Sequence, residues 1–170
     1  MKVTRVESTV LRIPMTKPMA LDFSHHALVV ARVHTDAGLV GLGYTLAFGG
    51  GGVESIHAYL KTRLAPLLVG EDALLVERLW QKMYRADRGI KRQGVAAYAL
   101  SALDIALWDL VGKAAGLPLF RLWGAARDKV PASGASFAFA SAGRSCASSK
   151  RRSVTSNKAR ADPSGVCGDS

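Results

Sequence analysis

Residues 99–124, ALSALDIALWDLVGKAAGLPLFRLWG, constrain the fold of this chain more than any other stretch. The segment has two parts with separate physical logic. The first is a helix that is apolar on nearly every face. Gly116 and Pro118 then stop it, since glycine adopts the left-handed conformation that ends a helix and a following proline cannot extend one. Beyond them the chain turns into a short piece at 119–123. A helix apolar all round must be covered by other protein.

Upstream of it the pattern changes twice. Residues 3–13 are rich in Val, Thr and Ile, and the β-rich runs 27–35 and 39–46 flank Asp36, Ala37 and Gly38. A tight turn containing Asp and Gly between two such runs predicts a hairpin, so the first third reads as a three-stranded antiparallel meander. After the glycine run 49–52 the period becomes helical, with Ile56, Tyr59, Leu60 and Leu64 at helical spacing. A second helix is expected after Asp72 as N-cap, with Leu75, Leu79 and Met83 as its apolar face and Arg85 and Arg88 near its end. A third runs over about 95–115. A meander followed by a small helical bundle is an α+β pattern.

The 49% hydrophobic and 21% charged content is that of a globular chain. The net charge of +10 is unevenly spread. Residues 133–170 carry six basic side chains against Asp162 and Asp169, ten serines, and no Leu, Ile, Met, Trp or Tyr. That tail has too little apolar area to offset the entropy of ordering it, so 132–170 is expected to be a disordered basic tail. Cys146 and Cys167 both lie there, 21 residues apart without a histidine between or beside them, which is a poor zinc site. Charges scattered through the first 14 residues leave no secretory signal visible. The only membrane candidate, 95–111, is shorter than the ~20 residues a span needs and contains two aspartates, so it reads as a core helix of a cytoplasmic protein.

Within 99–124 the residues Ala99, Ala102, Leu103, Asp104, Ala106, Leu107, Asp109, Gly112, Lys113, Gly116, Pro118, Leu119, Leu122 and Gly124 stand at fixed spacings. In this the chain resembles the mandelate racemase/muconate lactonizing enzyme group of the enolase superfamily, over residues 1–131. The resemblance implies an N-terminal capping domain whose partner, a modified (β/α) barrel, carries the acid/base groups and the carboxylate ligands of Mg²⁺. The implied chemistry is abstraction of the proton next to a carboxylate, with the metal stabilising the enediolate. It further implies two loops that close over a carboxylate or acid-sugar substrate, here 15–26 and 47–52. On that ground Lys17, His25, His26 and Phe48 are the substrate-binding candidates. Beyond Gly124 the only acids are Asp128, Asp162 and Asp169, none after a recognisable barrel strand, so no catalytic or metal-ligating residue and no cofactor is expected within these 170 residues. Lys158 and Arg160 have a Lys-x-Arg spacing, but polar, turn-forming flanks make that stretch a solvated coil.

The remaining polar residues read as structural. His34 and His57 sit in periodic elements. Asp104 and Asp109 lie about 140° apart around a helix, so they cannot converge on one ligand, and each is expected to meet a neighbouring cation or backbone donor. Residues 49–52 lack the Gly-Lys-Ser/Thr ending of a phosphate loop and read as a flexible lid. Trp80, Trp108 and Trp123 read as core or interdomain anchors. The expectation is therefore the substrate-capping domain of a dehydratase or racemase, inactive alone, prone to self-association and awaiting its barrel. The competing class is a non-catalytic basic protein that binds nucleic acid or anionic surfaces through Lys150, Arg151 and Arg152. The shift in composition after Pro131 has the character of out-of-frame translation of a GC-rich gene. Reading the gene beyond the codon for Ala132 in all three frames is expected to recover an apolar strand, a Lys-x-Lys or Lys-x-Arg and spaced acidic ligands. An intact frame with no barrel sequence in any other would overturn the expectation.

Overall fold

The structure, a computed structural model, describes residues 1–14, 25–47, 51–86, 93–127 and 129. The chain divides into two units, Met1–Ala126 and Arg127–Ser170, and nearly all described residues belong to the first.

Three antiparallel strands open the fold: β1 Val3–Pro14, β2 His25–Thr35 and β3 Val40–Ala47, in the order β1-β2-β3. The hairpin expected around Asp36, Ala37 and Gly38 is present. Gly38 takes φ 77°, a left-handed value that costs glycine little, and its N–H donates to the Thr35 carbonyl at 3.2 Å. Cross-strand partners show which side chains share a face. Val6, Ser8, Val10 and Arg12 stand beside Val33, Ala31, Val29 and Ala27, which stand beside Gly41, Gly43, Thr45 and Ala47. This face holds the core residues of β2. The other face carries Leu11, Ile13, Leu42, Tyr44 and Leu46, each exposed.

The helices follow as α1 Val53–Tyr59, a π-helical turn Leu60–Leu64, α2 Ala65–Leu68, α3 Val76–Arg85, α4 Val95–Ala115 and α5 Leu119–Leu122. Periodicity predicted one continuous helix where α1, the π turn and α2 stand. Pro66 has no N–H to give the Thr62 carbonyl, and in the turn before it the ladder widens, Ala65 donating to Leu60 five residues back. The second helix also departs from expectation. Asp72 is not its N-cap; α3 starts at Val76, and Asp72 accepts the Leu74 N–H at 3.1 Å and pairs with the Met1 amine at 3.4 Å. Leu75 precedes the helix and is exposed, so the buried stripe is Val76, Leu79 and Met83. Arg85 ends α3, while Arg88 lies outside the described residues.

Helix α4 is long and apolar enough to pass for a membrane span, at a mean hydropathy of 1.5. Its Ala99, Ala102, Leu103, Ala106, Leu107 and Leu110 are nevertheless buried in the core shared with the sheet. The contact is close because two glycines of β3 face two alanines of α4. A Cβ on Gly43 would collide with the Ala102 carbonyl oxygen and the Ala106 nitrogen, and one on Gly41 with the Ala106 carbonyl oxygen and the Leu110 side chain. Backbone obstacles cannot rotate away as side chains do. Gly43→Ala is therefore expected to cost about 1–3 kcal/mol, read as a lowered urea midpoint; an unchanged midpoint would show that the helix can shift.

Candidate functional site

The strand register gathers the ends of two segments at one end of the sheet. Pro14, the last residue of β1, pairs with His25, the first of β2, and Ala27 pairs with Ala47, the last of β3. The segments 15–24 and 48–52 thus leave from and return to the same region. Gly52, with φ 75°, leads into α1. An ion pair between Arg12, near the end of β1, and Glu54, in the first turn of α1, ties the two stems together.

His25 and His26 both stand at this end, and both are half-buried. His26 pairs with Ile13 and belongs to the face away from the helices, whereas His25 follows the register of the buried Ala27. Strand alternation sends the two rings to opposite faces. Lys17 and Phe48 lie outside the described residues, as do Gly49 and Gly50. The pair that sequence reasoning missed is Arg12 and Glu54. Arg12 follows the register of Val6, Ser8 and Val10 on the face toward the helices, and meets Glu54 at the solvent-exposed end of that face.

The other polar groups fasten elements together. His57 Nε2 lies 3.2 Å from the Ser8 carbonyl oxygen, tying α1 to β1, and His34 Nε2 lies 3.2 Å from Glu7 Oε2. Asp109 Oδ2 accepts the Leu42 N–H at 2.8 Å and the Lys113 ammonium at 2.6 Å. Lys113 also donates to the Val40 carbonyl at 2.7 Å. The expectation for Asp109 is met on both counts, a cation and a backbone donor. For Asp104 it fails: no hydrogen-bond or ion-pair partner is found for it among the described residues. Burial, and then the nearby Glu77, push its carboxyl above the usual aspartate range. Trp108 meets Trp123 edge to face at 5.4 Å, and Trp123 stays 61% exposed.

Among the described residues no three His, Cys, Asp or Glu side chains come together. These residues therefore do not fit a Mg²⁺ site, and no chemical step can be routed through them to such an ion.

Residues 1–124 match the family described as "Mandelate racemase / muconate lactonizing enzyme, N-terminal domain". The chain belongs to this family. Among the relatives that share the domain is the arabinonate dehydratase of Saccharolobus solfataricus, 39% identical over 105 residues, which are 62% of this chain and 28% of that protein. The 3,6-anhydro-alpha-L-galactonate cycloisomerase of Streptomyces coelicolor is 36% identical over 134 residues, 76% of this chain and 37% of that one. The crystal structure of L-talarate/galactarate dehydratase from Salmonella typhimurium, liganded with Mg and L-lyxarohydroxamate, superposes with a TM-score of 0.71 at 29% identity. It covers 76% of this chain and 35% of the other. The chain thus spans about a third of the length of the relatives it matches. The relatives that share this domain are named for different reactions, one a dehydratase and one a cycloisomerase.

The Asp104 shift sets a sign for pH. A carboxyl whose pKa is raised in the folded state adds stability while protonated, below the ordinary value of 3.8, and that contribution is lost as pH rises through the raised value. Asp104→Asn is therefore expected to raise the urea midpoint at pH 7 and to leave it unchanged near pH 3. Equal effects at both pH values would mean that charge is not the cause.

Proposed function

We propose that residues 1–131 are the capping domain of a cytoplasmic, Mg²⁺-dependent enzyme that abstracts the proton next to a carboxylate, an acid-sugar dehydratase or racemase, and that the chain is inactive without a barrel. The observation that carries this reading is the register, which brings the stems of 15–24 and 48–52 to one end of the sheet and ties them through Arg12 and Glu54. Two segments rooted together can cover one substrate. Lys17 pairs with the substrate's carboxylate, His25 or His26 donates to a carboxylate or hydroxyl, and Phe48 forms an aromatic lid. The magnesium ion and the base belong to the barrel.

Two further features support a missing cover. Asp104 is half-buried beside Glu77, and a covering domain would bring the cation it needs. Ile105, Leu117, Phe120 and Trp123 are all exposed on or just beyond α4, and exposed apolar side chains promote self-association. Residues 132–170 are read as the product of a shifted frame.

The test is activity with and without the barrel. The purified chain, given Mg²⁺ and a panel of aldonates and aldarates, is expected to turn over none of them. Joined in frame to the barrel sequence recovered downstream, it is expected to act on one. In that fusion His25→Ala and His26→Ala are each to be measured, and one of them should raise KM about 10-fold, the loss of one hydrogen bond to a charged group. Turnover by the chain alone, or two histidine variants with unchanged kinetics, would overturn the reading.

A further inference from the structure

A second site lies away from the loop end, between the π-helical turn, α3 and α4. A cavity of about 160 Å³ opens there, and among the described residues no charged side chain lines it. The π turn shapes one wall. Residues five apart in an α-helix point about 140° from each other, but the widened bonding of a π turn brings such residues onto one side. Tyr59 and Leu64 accordingly both face the cavity. A second wall is aromatic: Trp80 and Tyr84, one turn apart on α3, stack with ring centroids 4.5 Å apart and planes 21° apart. Met83 is buried and also lines the cavity. Across from them α4 presents only Ala96, Ala97 and Leu100, and the two methyl groups are too short to close the gap.

We propose that this cavity is a binding site for a small uncharged aromatic molecule, of benzene to toluene size. Three features favour that class. The volume is close to the roughly 150 Å³ of an apolar cavity that takes up benzene. A stacked indole and phenol offer a further ring the offset or edge contacts that aromatic groups prefer, and a thioether adds favourable contact with a ring edge. A charged ligand would find no opposite charge among the described lining residues to offset the loss of its water. The site is independent of the capping role, since its walls belong to the helices and not to the loop stems.

Fluorobenzene is a suitable probe, observed by ¹⁹F NMR with the full 170-residue chain. A saturable shift or broadening is expected, with half-saturation on the order of 1 mM, which lies inside the affinity ceiling for a ligand of this size. Ala96→Leu fills the cavity and should abolish the response while circular dichroism stays that of the parent chain. Should that variant not fold, Ala97→Met, at the exposed rim, should weaken binding at least 10-fold. Trp123→Ala removes the most exposed indole and should leave binding unchanged. No response up to the solubility of the probe would overturn the proposal. So would a response that never saturates, one that survives both filling variants, or one lost with Trp123→Ala, because each describes adsorption elsewhere on the surface.

Discussion

The fold depends on how closely α4 approaches β3. Gly41 and Gly43 present bare backbone to Ala102 and Ala106, so helix and sheet meet almost main chain to main chain. That contact requires small residues on both sides at once, two glycines alternating on a strand and alanines at helical spacing. Once it forms, larger side chains are carried into the core around it: Leu103, Leu107 and Leu110 from the helix, Val29 and Val33 from the central strand. The remaining helices then fill what is left beside α4. Dispersion acts over short distances, so a helix held further out would lose these contacts together.

The same contact explains why residues 99–124 carry so much information about ancestry and so little about chemistry. Their alanines meet glycines. Asp109 and Lys113 bond to the backbone of β3, and Gly112 lies against the turn that leads to Leu119. Gly116, at φ 64°, ends the helix as its position predicted. Each of these groups packs an element or fastens a strand, so the segment builds the scaffold and takes no part in chemistry that the described residues show.

The strands, the hairpin and α4 were legible in the sequence because each rests on a local rule: alternation, a turn glycine, and a helix bounded by a glycine. What escaped was the outcome of competition between local rules. Asp72 looks like an N-cap, but the amine of Met1 and the Leu74 N–H claim its carboxylate, and the helix starts four residues later. Ile56, Tyr59, Leu60 and Leu64 read as one continuous α-helix, but Pro66 removes a donor and the ladder widens. At the loop end, periodicity could place His25 and His26 together in sequence, yet it takes the strand register to show that their rings part to opposite faces. Asp104 looked like any helical aspartate, and only the packing of α3 against α4 shows Glu77 where a cation was expected.

The clasp of Asp109 and Lys113 on β3 has a consequence for association. β3 is one of the two outer strands of the sheet, and an outer strand ordinarily offers its open backbone groups as a template for a strand from another chain. Here the Leu42 N–H and the Val40 carbonyl are already occupied by side chains from the protein's own helix. A foreign strand would have to displace a carboxylate and an ammonium that also satisfy each other. Growth of the sheet by strand addition is therefore blocked at this end of β3 by the same two side chains that hold α4 against it.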